Sequence, residues 1–205
     1  MVVDNAVTRR LFFAFELDER TRAAIANLVD RLRRRLESDL ARDRGRIKWV
    51  ERENLHMTVR FLGATTDAKW QELQDVMQQP LTLAPFELRF DRVGTFPERG
   101  APRVVWLGVS AGAVEAGRVC DELDQRLSTI DIPPEARPFH PHLTLGRVRD
   151  VASRGTSRTL REVVVDSLEA VLVDHVTLFE SELTPGGPRY APRLRIGFGS
   201  MFRHE

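Results

Sequence analysis

Two short stretches of the chain share one pattern: His56-Met57-Thr58-Val59 and His142-Leu143-Thr144-Leu145, each a His-x-Thr followed by an aliphatic residue. Together they use two of only five histidines. An imidazole titrates near neutrality, at about pH 6.5 when unperturbed, so one copy can take a proton while the other gives one. The two threonine hydroxyls add neutral hydrogen-bond donors. Such a set suits a phosphodiester or a cyclic phosphate, where a water must be deprotonated, a departing alkoxide protonated and anionic oxygens held. Neither a covalent protein nucleophile nor a metal is needed. A single His-x-Thr would mean little, because threonine is a favoured strand residue; the repetition is the signal.

The motifs need elements to position them. Alternation and apolar runs predict strands at Leu11–Leu17, Ile47–Val50, Leu55–Leu62 (closed by Gly63), Phe86–Val93, Val104–Val109, Leu143–Val148, Glu169–Phe179 and Leu194–Phe198. Helical spacing predicts a helix after an Asp18 cap through Leu36, a second over Asp67–Gln78, a third over Ala113–Ile130 and a short piece near 158–164. Gly94–Arg103 and Pro185-Gly186-Gly187-Pro188 read as loop and turn. Short turns between neighbouring strands favour antiparallel pairing. Each motif falls within a predicted strand. Strict alternation sets His56, Thr58 and Arg60 on one face and Met57, Val59 and Phe61 on the other, with His142 and Thr144 opposite Leu143 and Leu145.

Composition narrows the classes. At 205 residues, 42% hydrophobic and 30% charged, the chain can bury a sizeable core without staples, and no apolar run approaches the roughly 18 residues of a membrane span. With 31 basic against 30 acidic residues, the net charge of +1 supplies no general field for a nucleic-acid backbone, so an anionic partner must be gripped locally. Cys120 is the single cysteine, which excludes an intrachain disulfide and a CxxC pair; it lies on the apolar stripe of the third helix and reads as a core residue. Met1–Arg10 lacks an apolar signal core, so a cytoplasmic location with no membrane association is expected, and a monomer is expected because no exposed apolar stripe is left once the helices are assigned. The clustered arginines of the first helix read as a solvated face.

From Arg10-Leu11-Phe12-Phe13-Ala14-Phe15-Glu16-Leu17 through Asn54–Gly63, Gly94-Thr95-Phe96-Pro97, Arg103–Val109 and Arg137–Arg147 to Leu178–Leu183 and the turn before Tyr190, the chain resembles the 2H phosphoesterase superfamily. Within it, the likeness is to the RNA 2′,3′-cyclic phosphodiesterases, also called 2′-5′ RNA ligase-like proteins. The resemblance implies an α+β, bilobal fold with two antiparallel-rich sheets facing a central cleft and helices on the outer faces. It implies one domain over 1–205 made of two pseudo-symmetric lobes. The implied reaction opens a 2′,3′-cyclic phosphate on an RNA 3′ end or nucleotide to a 2′-phosphate. His56 would be the proton donor and His142 the base, Thr58 and Thr144 would bind phosphate oxygens, and no cofactor or metal is implied. Arg147 matches a phosphate-binding position, yet alternation from His142 turns it to the opposite face unless a bulge near Gly146 intervenes.

Other readings stand beside this one. His140 and His142 form a His-x-His pair, but Pro141 between them and the lack of a nearby Cys or carboxylate motif weaken a metal site; His140 reads as a neighbour at the site entrance. His175, beside Asp174, reads as structural and His204 as part of the tail. The competing functions are another 2H activity (cyclic nucleotide or ADP-ribose cyclic phosphate hydrolysis, or ATP-independent 2′-5′ joining) and a non-catalytic module that stacks RNA ends on aromatic rings.

Overall fold

Alternation along the first strand already separates core from cleft. In β1, Thr8–Phe15, Leu11, Phe13 and Phe15 enter the main core while Phe12 and Ala14 lie on the opposite face. The computed structural model describes residues 8–43, 45–149, 159–160, 162–165 and 168–199. The helical piece expected near 158–164 falls only partly within these, with Thr159 and Leu160 helical, and His204 lies outside them.

Helix α1, Glu19–Asp43, starts where expected and runs well past Leu36. The Asp18 carboxylate caps it by accepting from the Thr21 backbone N–H at 2.7 Å and the Thr21 hydroxyl at 3.1 Å. Helix α2, Asp67–Val76, is capped by the Thr66 hydroxyl, which accepts from the Lys69 N–H. Helix α3, Ala113–Ser128, buries Ala116, Val119, Cys120, Leu123 and Leu127. It follows Gly112 at φ +82°, where a Cβ would come within 2.3 Å of the Glu87 carbonyl oxygen. Burial pushes the Cys120 thiol up to about 11, as suits an inert core residue. Among the described residues no helix is long and apolar enough to cross a membrane.

The remaining strands are β2 (Ile47–Trp49), β3 (Met57–Thr66), β4 (Phe86–Phe96), β5 (Val104–Ala111), β6 (His142–Val148), β7 (Val171–Val173), β8 (His175–Thr184) and β9 (Gly187–Gly197). They form two sheets, β3-β1-β8-β9 and β2-β6-β5-β4-β7. Each strand pair in both sheets is antiparallel. The fold is therefore α+β with two antiparallel sheets, and each sheet carries one His-x-Thr strand. The helices cover the faces turned away from the motif residues, and β3 and β6 approach one another where the sheets meet.

Several boundaries differ from the sequence expectation. A 3-10 turn, Arg52–Asn54, precedes β3, which begins at Met57 and continues beyond Gly63 to Thr66. The first residues of the expected Gly94–Arg103 loop belong to β4. The strand expected over Glu169–Phe179 is two strands divided at Asp174. The last strand starts at Gly187, not Leu194, because β9 is a sheet edge and tolerates Pro188 and Pro192 with little loss of pairing.

Two bulges correct the faces. Between Ala14↔Thr58 and Phe13↔Arg60, β3 advances two residues for one on β1. Val59 and Arg60 consequently both turn inward, at 3% and 4% exposure. Arg60 does not share the His56 face as alternation predicts. Its Nε donates to Asp124 Oδ1 of α3 at 2.5 Å, and its terminal nitrogens donate to the carbonyls of Phe61 and Pro133. Phe61 takes the cleft face instead, 55% exposed, its ring 6.0 Å from that of Phe12. Strand β6 repeats the device: between Trp106↔Thr144 and Val105↔Gly146 it also advances two for one. Leu145 is fully buried, and a Cβ on Gly146 would meet Ile47 Cγ2 at 2.8 Å.

Candidate active site

His56 stands where the chain enters β3. Its Nδ1 lies 2.8 Å from the Asn54 carbonyl oxygen and its Nε2 3.0 Å from the Thr58 hydroxyl. A carbonyl can only accept, so Nδ1 carries the hydrogen and Nε2 of the neutral ring accepts from Thr58. Asn54 is itself tied to β9, donating through Nδ2 to the Pro188 carbonyl at 3.1 Å. Around the imidazole lie Phe12 at 5.0 Å, Tyr190 at 5.1 Å edge-on and Phe179 at 6.5 Å between ring centroids. This apolar surround pushes the His56 pKa down to about 4; the Asn54 carbonyl opposes the shift and the Arg22 charge adds to it.

His142 repeats the arrangement in the other sheet. Its Nδ1 donates to the His140 carbonyl at 2.7 Å, two residues upstream as for His56. Phe96 meets it edge-on at 5.1 Å, and Trp106 and His140 lie at 6.4 and 6.2 Å. Trp106 rests flat on the sheet because Gly94 has no side chain; a Cβ there would come within 2.2 Å of the indole. Burial lowers the His142 pKa, the His140 carbonyl opposes, and the His140 and Arg147 charges lower it further. Thr144 shares the His142 face, and its hydroxyl has no hydrogen-bond partner among the described residues. His140 contributes its carbonyl to His142 and exposes its ring at the entrance.

The β6 bulge decides the orientation of Arg147. With Leu145 and Gly146 both turned to the core, Arg147 returns to the His142 face, against strict alternation, and its charge acts on both His142 and Tyr190. Tyr190 in turn packs on His56. The charge of Arg147 thus acts on a ring from each sheet, and the two motif strands, β3 and β6, are themselves in contact. Lys48 pairs in register with Arg147 and joins it on that side. His175 is apart from this group, with Nδ1 on Asp174 at 2.5 Å. Among the described residues, no three His, Cys, Asp or Glu side chains gather as a metal site.

The sequence pattern of the 2′-5′ RNA ligase superfamily matches residues 20–185. The chain belongs to that superfamily. A Methanocaldococcus jannaschii protein named RNA 2′,3′-cyclic phosphodiesterase is 32% identical over 186 residues, covering 88% of this chain and 96% of its own. An Aeropyrum pernix protein of the same name is 34% identical over 177 residues, covering 86% and 99%. Among solved structures, Escherichia coli LigT complexed with 3′-AMP superposes with a TM-score of 0.73 at 26% identity, covering 95% of this chain and 100% of that one.

In this 2′-5′ RNA ligase superfamily member, the site holds three aromatics, Phe12, Phe96 and Trp106, that sequence reasoning offered only as a stacking surface for an RNA end, with most such rings expected in the core, and a tyrosine to which it assigned no role. Phe12, Phe96 and Trp106 enclose the two imidazoles and set their basicity, and Tyr190 bridges the halves. In the sequence these aromatics are indistinguishable from core residues. Tyr190 alone carried a signal, as the only tyrosine in the chain, close behind the Pro-Gly-Gly turn.

Proposed function

We propose that this chain hydrolyses a terminal 2′,3′-cyclic phosphate on RNA to a 2′-phosphate by two-histidine general acid–base catalysis, its two sheets acting as the two lobes of a single domain. The observation that carries the proposal is the matched pair of imidazoles. Each is fixed by an Nδ1–H bond to the carbonyl two residues upstream, each stands on a different sheet, and the charge of Arg147 acts on His142 and on Tyr190, which packs on His56. The names of the relatives from M. jannaschii and A. pernix support the substrate class.

On this reading His142 Nε2, in the more open half, takes a proton from water as the water oxygen bonds to phosphorus. The P–O3′ bond breaks, and His56 Nε2 delivers a proton to the departing 3′ oxygen. The products are a 2′-phosphate and a 3′-hydroxyl, and the histidines reset by exchanging protons with solvent. Thr58, Thr144 and Arg147 hold the non-bridging oxygens; Thr58 can turn its hydroxyl from His56 to the phosphate once His56 is protonated. The bound anion favours that protonation by offsetting the burial that disfavours it.

The pH profile on a cyclic-ended oligoribonucleotide tests this. In the free protein both imidazoles titrate below their usual value, His56 near 4. Productive encounter needs His56 protonated and His142 neutral. Raising the pH removes the first proton and lowering it adds the second. The kcat/KM profile is therefore expected to be a bell with its optimum below about pH 6.5, and the kcat optimum to lie higher because bound phosphate raises both values. A flat profile between pH 5 and 9, or no hydrolysis at any pH, contradicts the proposal.

A further inference from the structure

We propose that the hydroxyl of Tyr190 is a phosphate-binding group, donating a hydrogen bond to a non-bridging oxygen of the cyclic phosphate beside Arg147. The proposal rests on the phosphodiesterase reading above. Tyr190 is half-buried in β9, its ring edge-on at 5.1 Å to both His56 and Phe12. That packing fixes the ring, and a phenylalanine would satisfy it equally. The hydroxyl is what packing leaves unexplained: it has no hydrogen-bond partner among the described residues. The oxygen is not sealed inside the protein, so the hydroxyl is available to a ligand entering the site. Its surroundings point to an anionic acceptor, because the formal charge that acts on it is the cation Arg147, which has no carboxylate partner among the described residues. A neutral donor and a cation brought together from opposite sheets, with an imidazole on either side, complement an anion entering between them.

The placement also gives the two halves matching equipment. His142 has Arg147 on its own strand, five residues on, whereas the same bulge at the same offset from His56 presents Phe61, which cannot bind an oxygen. Tyr190 supplies from β9 the polar contact that the His56 strand lacks.

The test compares wild type with Tyr190→Phe on a cyclic-ended oligoribonucleotide, EDTA present. Losing one hydrogen bond to a charged group is expected to lower kcat/KM by about 10- to 100-fold with the thermal midpoint unchanged, since the hydroxyl bonds nothing in the protein. A readout independent of turnover is available because the chain has one tyrosine. Carbon-labelled at Cζ, it yields a single resonance, expected to shift on titration with inorganic phosphate. A Tyr190→Phe enzyme within twofold of wild type overturns the proposal, as does phosphate that inhibits competitively yet leaves the resonance unmoved. A wild type that leaves the cyclic end intact overturns the phosphodiesterase reading and this proposal with it, whereas an active wild type matched by Tyr190→Phe overturns the tyrosine alone.

Discussion

His142→Ala and His56→Ala are each expected to lower turnover of a cyclic-ended RNA by roughly 10² to 10⁴-fold, the usual scale for deleting a general acid or base. The two should differ in what else they disturb. His142 sits in the more open half and bonds only a carbonyl, so its truncation should leave the unfolding midpoint nearly unchanged. His56 is enclosed by Phe12, Phe179 and Tyr190, so His56→Ala opens a gap among these rings, and His56→Gln is the cleaner variant for separating chemistry from packing. Because one proton enters and one leaves in the same reaction, the double variant should be little worse than either single one. Steady-state rates alongside thermal melts check this. Near-wild-type turnover by either single variant would show that histidine to be misassigned.

Arg60→Ala is expected to cost stability and not chemistry. The guanidinium is buried, and its bonds to Asp124 and to the Phe61 and Pro133 carbonyls tie β3 to α3 and to the segment that leads into β6. Truncation strands the Asp124 carboxylate and two carbonyls; because Asp124 keeps 24% of its side-chain surface in water, the loss is set below that of a fully buried pair, at about 2–3 kcal/mol. For a domain of this size that lowers the melting midpoint by on the order of 10 °C. Replacing the pair together, Arg60→Met with Asp124→Leu, should recover much of it, because Asp124 is then not stranded and Glu135, 3.5 Å from the guanidinium, is exposed enough for water to replace Arg60. Activity per folded molecule should stay near wild type. Strict alternation predicts the reverse, an arginine beside His56 whose loss silences the enzyme without unfolding it, so one melt and one rate decide between the two arrangements.

That contrast marks where sequence reading stops. The helices were legible because their apolar stripes and caps are local: Asp18 and the Leu28–Leu36 stripe need no knowledge of the rest of the chain. Both motif strands were legible for the same reason, as was the burial of Cys120. The bulges were not. Val59 and Arg60 read as one apolar and one charged residue in an alternating run, and only pairing against Phe13 and Ala14 shows that both turn inward. The one bulge anticipated, near Gly146, was suggested by the resemblance and by a glycine; the equivalent one at Val59 has no glycine to announce it. Strand β9 was truncated in the sequence reading because Pro188 and Pro192 are strand breakers in a sheet centre and tolerable at an edge, and edge position is a property of the assembled sheet. Tyr190 belongs with these: it reaches His56 from the far end of the chain through sheet order that no window of sequence contains.

The most direct test of the two-histidine reading is the fate of the phosphate. The purified chain, with EDTA present, is given an oligoribonucleotide ending in a 2′,3′-cyclic phosphate in water enriched in heavy oxygen. The expected product is a terminal 2′-phosphate carrying the label, formed by wild type and lost with His56→Gln or His142→Ala. A cyclic end left intact, a 3′-phosphate product, or hydrolysis that appears only when a metal is added would contradict it.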